Sequence, residues 1–333
     1  SQYSQTSDER DLIMVSILIG EALGRDVSGL WEEYFSISPD EGASRPAASS
    51  EDGPTLIGFW REKDALGFCS NWHPSGLVFC GREFCTAEHW MMWQKARVMG
   101  DTGSADAILE APTPRRAKEL GTRVKPYDDA LWRDVREQLV YVGVREKFMQ
   151  NPKLAERLLA TGAAVLAEAS PYDRSWGVGL AEHDKRFRDI SRWRGSNLLG
   201  RVCMRVRSDL GLAAHADVDV EKLFGCGNDM VFSLCDGRVG SMSLLELSRV
   251  PAARAAVLCY VRIAQHQASD TYPALDDFLL RFGRETVAEI DERRRAGRGG
   301  DVGTGGGIEV VGWCELLSQL SFMGAVGLLW GWR

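Results

Sequence analysis

The run Thr86-Ala87-Glu88-His89-Trp90-Met91-Met92-Trp93-Gln94-Lys95-Ala96 constrains the fold of this chain more than any other stretch. It is built from good helix formers without Gly or Pro, and Thr86 stands where a hydroxyl can cap the first turn, so the pattern predicts a helix. Two turns of that helix return Glu88 and Lys95 to one face, with Met91 and Met92 between them. A carboxylate and an amine on a face otherwise made of Met and Trp either satisfy each other as an ion pair or carry chemistry, because an isolated charge is costly to bury. Both readings stand at this point.

The surrounding pattern is mainly helical with a few short β-strands, an α+β class. Short strand runs fall at 57–60, 77–80 and 164–169, and helical periodicity runs from 116, over 128–150 and 152–159, and over 197–210. Residues 1–54 read as a helix (11–34) followed by a Ser/Pro/acidic linker, 55–211 as the main domain, and 212–333 as a C-terminal extension. That extension has helical patterns at 252–266 and 275–295 and a Gly-rich connector at 299–307 without a Walker lysine. Its last apolar run, 316–332, is interrupted by Ser318, Gln319 and Ser321 and reads as a packed helix rather than a membrane span.

The formal net charge of −7 argues against a generally basic nucleic-acid-binding surface, though Arg115, Arg116, Lys118, Arg123 and Lys125 could form a local basic patch. The 8 scattered cysteines predict reduced thiols in a cytoplasmic, or alternatively nuclear, protein. No pair has CxxC spacing, and Glu88-His89 reverses the His-x-Glu order of zinc deaminases, so no metal and no cofactor is expected. Eleven tryptophans and 35 glycines suit either a pocket for a planar ligand or a heavy core.

Four patches then stand in one order: Phe68-Cys69-Ser70-Asn71; Ala87-Glu88-His89 with Lys95-Ala96; Lys147-Phe148, Asn151, Thr161-Gly162 and Glu168-Ala169-Ser170; and Asp173, Trp176-Gly177-Val178-Gly179, Trp193-Arg194-Gly195-Ser196-Asn197-Leu198-Leu199-Gly200 and Met204-Arg205-Val206-Arg207. From about residue 57 to 210 this closely resembles the NADAR family of YbiA-like N-glycosidases. Two positions depart from the family pattern, Cys69 in place of Leu and an extra residue in Gly121-Thr122-Arg123.

The resemblance implies a compact, mainly helical fold around a cleft for a ribosylated, phosphate-bearing molecule. It also implies hydrolysis of N-glycosidic bonds to exocyclic amines, either in ribosylaminopyrimidine phosphates or in ADP-ribose attached to guanine. The partner expected is therefore an ADP-ribosylated or ribosylated small molecule or nucleic-acid base, with no membrane. A binding module for ADP-ribose or a related NAD metabolite, without turnover, is the alternative.

An amine-linked ribose can open to an imine, which a neutral lysine can attack. Lys95 suits that step if burial lowers its pKa, and Glu88 is then the proton shuttle. Asp173 is the second acid, or else closes an Asx-turn; a carboxylate pair acting without covalent lysine is equally readable. Trp176 and Trp193 are expected against the base or ribose, Trp193 alternatively in the core. Gly177 and Gly179 permit backbone approach to phosphate. Asn71, His89, Trp132 and Asn197 complete the expected lining, with Asn71 equally able to close an Asx-turn and Asn197 alternatively a helix cap. Glu168 is expected to orient a ribose hydroxyl or Lys95, and Arg136 and Lys147 to serve phosphate or simply be solvated.

Overall fold

The computed structural model describes residues 55–210, 219–228, 230, 232 and 250–266. The expected N-terminal helix and linker, the 275–295 helix, the Gly-rich connector and the last apolar run lie outside them. The chain divides into two compact units, and the expected 55–211 domain falls within the one formed by Glu41–Leu234 with Ala255–Cys259.

The predicted central helix is α1 (Ala87–Val98), and every residue of it except Lys95 is buried. A helix so enclosed needs no amphipathic stripe, which is why Met and Trp occur on all its sides. Thr86 is extended and its hydroxyl accepts from the His89 backbone N–H, the expected N-cap. Trp90 and Trp93 turn inward, with Phe79 and Phe84 edge-on to Trp90 at 4.8 and 5.4 Å. The Trp90 indole N–H donates to Leu139 O at 2.8 Å, so its polar end is paired in the core.

Two small sheets flank this helix. Strand β1 (Leu56–Phe59) pairs in parallel with β4 (Val165–Glu168), placing Phe59 opposite Glu168. Parallel pairing demands a long crossover, and the helices fill it. Strands β2 (Leu77–Phe79) and β3 (Arg82–Phe84) form a hairpin whose turn residues, Cys80 and Gly81, both have positive φ, as a type I′ turn requires. The short β3 was not distinguishable in the sequence as a separate strand.

The remaining helices follow their caps. They are α2 (Thr102–Leu109) behind Asp101, α3 (Pro114–Gly121) behind Thr113, and α4 (Asp129–Gln150) behind Asp128. Then come α5 (Pro152–Leu159) and, after β4, α6 (Leu198–Leu210), α7 (Val220–Phe224) and α8 (Pro251–His266). Among the described residues, no helix is long and apolar enough to cross a membrane.

The helices meet through glycines. A Cβ on Gly121 would lie 2.1 Å from Met92 Sδ, and one on Gly143 would lie 2.1 Å from Trp90 Cδ1, so α3 and α4 approach α1 at van der Waals contact. Gly143→Ala is therefore expected to destabilise the fold by about 1–3 kcal/mol, overpacking outweighing the gain in helix propensity. A urea midpoint lowered at constant m-value would show it; an unchanged or raised midpoint would not fit this packing.

The cysteines depart from expectation. Cys80 and Cys226 are disulfide-bonded across 146 residues of sequence, with Cα atoms 5.4 Å apart. The hairpin turn carries Cys80, and the segment holding Cys226 docks on α1 through Arg97, whose guanidinium donates to Phe224 O at 2.8 Å. Asn228 Oδ1 accepts from the Trp93 indole at 3.1 Å. Nothing in local spacing reports such a pairing. Cys69, Cys203 and Cys259 are buried thiols and Cys85 is an exposed one.

Candidate active site

Glu88 sits in the first turn of α1, only 2% exposed, and its backbone N–H donates to Asn71 O at 2.9 Å. Burial pushes its carboxyl up to about 7; the Lys118 ammonium and a hydrogen bond from the Trp72 side chain pull it back, and Asp173 adds to the rise. Glu168 ends β4 and is pushed up to about 8, first by burial and then by Asp173 and Glu88, with Lys118 opposing. Three acids from α1, β4 and the loop after β4 thus act on one another, with Lys118 from α3 beside them. The Lys118 ammonium also lies 5.7 Å from the Trp72 ring. Three buried oxygens in this group, Glu88 Oε1, Glu168 Oε2 and Asn71 Oδ1, have no hydrogen-bond partner among the described residues. Buried acceptors are normally paired, so these three oxygens have capacity left for donors from another molecule.

These raised carboxyls make stability depend on pH. Each is neutral in the fold over a range where its unfolded counterpart is ionised, so its contribution is complete below about pH 4.5 and is lost as pH rises through its folded value. Glu168→Gln is therefore expected to stabilise the protein at pH 8 by about 2–4 kcal/mol relative to its effect at pH 4.5. Comparing variant with parent isolates Glu168, because His73 and His89, held below their ordinary value first by burial, act in the opposite sense over part of this range. Denaturant midpoints at the two pH values read the difference, and an equal effect at both would contradict the burial of this acid.

Several expected residues hold the acids in place. Asn197, in left-handed backbone at φ 51°, accepts from the Glu168 backbone N–H at 3.0 Å and donates to Leu166 O at 2.9 Å, clamping β4 to the start of α6. Asp173 Oδ1 accepts from Ser175 and Trp176 N–H groups at 2.8 and 2.7 Å, so the Asx-turn reading holds while its charge still reaches both glutamates. The close approaches of Gly177 are to its own chain: a Cβ there would stand 2.9 Å from Glu168 O and 3.0 Å from Asp173 O. Gly179 has φ +70°, a backbone that favours glycine.

Other expected residues are occupied elsewhere. Both ring nitrogens of His89 are used, Nδ1 with the Thr86 hydroxyl at 2.8 Å and Nε2 with Ala111 O at 3.0 Å, so it anchors α1. Lys147 is neither solvated nor placed for phosphate. It is fully buried, donates to Ser70 O at 2.9 Å, and burial brings its pKa down to about 8. It thereby fixes the loop that presents Asn71 and Trp72. Trp193 donates from its indole to Phe187 O at 2.9 Å and packs on the Phe187 cluster, a core role. Trp132 is buried on α4.

Lys95 forms no ion pair with Glu88 in the structure; the charge acting on that acid is that of Lys118. The Lys95 amine lies 4.3 Å from the Tyr127 ring, half-buried, and loss of water lowers its pKa while Asp129 partly restores it. Arg136 acts on Tyr127 and lies 5.8 Å from the Trp176 ring, bridging the surroundings of Lys95 to the Asp173 loop. Sequence reasoning missed Lys118 and Trp72 as members of the site. Lys118 stood out only as one of several basic residues, and its place beside Glu88 arises where α3 crosses α1 at Gly121 and Met92.

The NADAR domain family matches residues 58–211. The N-glycosidase R617 of Acanthamoeba polyphaga mimivirus is 39% identical over 38% of this chain and 75% of that protein. The Riboflavin biosynthesis protein VVA0006 of Vibrio vulnificus is 32% identical over 46% of this chain but only 38% of that protein. The N-glycosidase YbiA of Escherichia coli is 31% identical over 47% of this chain and 90% of its own length. Its NMR structure, 29% identical, covers 51% of this chain and 91% of that one at a TM-score of 0.40.

Proposed function

The chain belongs to the NADAR domain family, and from that premise we propose that it is an N-glycosidase cleaving the bond between a ribose unit and an exocyclic amine. The substrate is ADP-ribose on guanine or a ribosylaminopyrimidine phosphate; relatives named as N-glycosidases and as a riboflavin biosynthesis protein support this class. The observation that carries the reading is the pair of buried Glu88 and partly buried Glu168, both raised towards neutral pH and both with a buried, unpartnered oxygen.

A carboxyl near pKa 7 is protonated often enough at neutral pH to donate and remains basic enough to take the proton back. The ribose ring opens to an imine at its anomeric carbon. A neutral lysine amine adds there, forming a new C–N bond. Glu88 gives its proton to the nitrogen of the base, that older C–N bond breaks, and the sugar stays on lysine as an imine. Water, deprotonated by Glu88, adds to the imine carbon, lysine leaves, and the free sugar recloses.

We assign the attack to Lys95, because its half-buried amine on the Tyr127 ring is shifted towards the neutral form. Lys118 is exposed and acts on both glutamates, so its role is that of a fixed positive charge for phosphate or for the ionised acid. Glu168 and Asn71 accept ribose hydroxyls, and Arg136 with Trp176 faces the remaining charge and the planar ring. The test is release of base from ADP-ribosylated guanine in an oligonucleotide and from a ribosylaminopyrimidine phosphate. Release from either supports the reading, and release from neither overturns it.

A further inference from the structure

Residues 219–228, which carry α7 and Cys226, take no part in the chemistry above, yet they are tied to the helix that does. Val220, Leu223 and Phe224 of α7 are buried. The Arg97 guanidinium, on a residue only 2% exposed, donates to Phe224 O at 2.8 Å and to Gly225 O at 3.1 Å, and lies 4.5 Å over the Trp93 ring. Asn228 Oδ1 accepts from the Trp93 indole and from Arg82 of β3, both at 3.1 Å, and its amide donates to Asp106 of α2. These residues form a strap against the Trp93–Arg97 part of α1, and the strap's carbonyls take N–H groups of a buried guanidinium. Leaving such a charge without them is costly, so lifting the strap obliges that turn of α1, which includes Lys95, to open to water.

The strap has one covalent fastening, the bond from Cys226, which is exposed, to the half-buried Cys80 in the hairpin turn. Glu221 Oε1 accepts from the Cys80 backbone N–H at 2.6 Å, and a carboxylate oxygen of Glu221 and the two sulfur atoms all lie within 4.8 Å of one another. We propose that this bond is a redox-controlled fastening of α1: closed, it holds residues 219–228 on the helix, and opened by a dithiol it lets them go and turnover falls. A thiolate of the dithiol attacks the exposed Cys226 sulfur, the S–S bond breaks, and Cys80 leaves as a thiolate that takes a proton. The second thiol of the reagent then displaces Cys226. Two electrons and two protons thus reach the pair, and the dithiol becomes a cyclic disulfide. Glu221 sets the resistance, because a carboxylate beside the sulfurs opposes both the incoming and the departing thiolate. The link to turnover rests on the N-glycosidase reading; the fastening itself does not.

The full chain is equilibrated at graded ratios of reduced to oxidised dithiothreitol, and alkylation followed by mass measurement counts the thiols freed. Amide hydrogen exchange across 93–98 and release of base from ADP-ribosylated guanine are followed on the same samples. As the Cys80–Cys226 bond opens, exchange across 93–98 is expected to quicken by at least about tenfold and turnover to fall by about tenfold. Cys226→Ser is expected to match the reduced parent at every ratio, and Glu221→Gln to open at least about threefold faster than the parent. Exchange unaltered once the bond is open would overturn the proposal, since the strap would then hold without it. A Cys226→Ser protein that still responds to the ratio would overturn it too, since another cysteine would carry the effect. If the parent releases no base in either state, the glycosidase reading fails, and the exchange arm alone still decides the fastening.

Discussion

Glu88→Gln is expected to reduce turnover by about 10²–10⁴-fold while the protein remains at least as stable as the parent at neutral pH. The substitution keeps the shape of the side chain and its capacity to accept from Trp72, but it removes the transferable proton. The carboxyl it replaces is 2% exposed and raised to about 7 chiefly by burial, so its ionised form costs free energy that Gln does not. Loss of activity with gain of stability is the signature of a group kept under strain for chemistry. Steady-state rates and denaturant midpoints on the same preparation read both. A Glu88→Gln protein retaining more than a tenth of the parent rate would remove this acid from the proton-transfer step.

Lys95→Ala is expected to cost at least ~10³-fold in kcat/KM, because without a covalent amine the sugar would have to leave as an unassisted oxocarbenium-like species. Lys118→Ala should cost much less in kcat than in KM if its charge serves binding, and the split between the two parameters distinguishes the lysines. Undiminished turnover in Lys95→Ala would favour a route using the carboxylates alone, with Glu88 and Glu168 as the working pair. Lys95→Ala is expected to fold, since Lys95 is the one residue of α1 that is only half-buried and it makes no ion pair there.

Much of this arrangement is legible along the chain because it rests on local rules. Thr86, Asp128 and the Thr161-Gly162 stop announce their helix ends through capping chemistry, and α4 and α6 follow from their apolar spacing. Glu88, Glu168 and Asp173 could be singled out because each lies in a stretch shared with a known family. What joins them could not be read. Lys118 reaches Glu88 only through the close crossing of α3 on α1, a tertiary contact set by Gly121. Lys147 looked like an ordinary cation on a long helix, yet α4 is enclosed along that side and the amine is paired inside with Ser70. His89 looked like a ligand contact because it sits among site residues, but its ring nitrogens are already paired with Thr86 and Ala111, while Trp193 takes the core place that was also open to it, its indole donating to Phe187 O. The Cys80–Cys226 bond spans 146 residues, and no spacing rule connects its ends.

The central claim is that a partly dehydrated amine on α1 holds the sugar after a buried acid has released the base. Adding borohydride during turnover and mapping the labelled peptide tests this most directly. The account predicts a reduced sugar fixed to Lys95, and none in Lys95→Ala. A sugar fixed instead to Lys118, or steady turnover from which no adduct can be trapped, would contradict it.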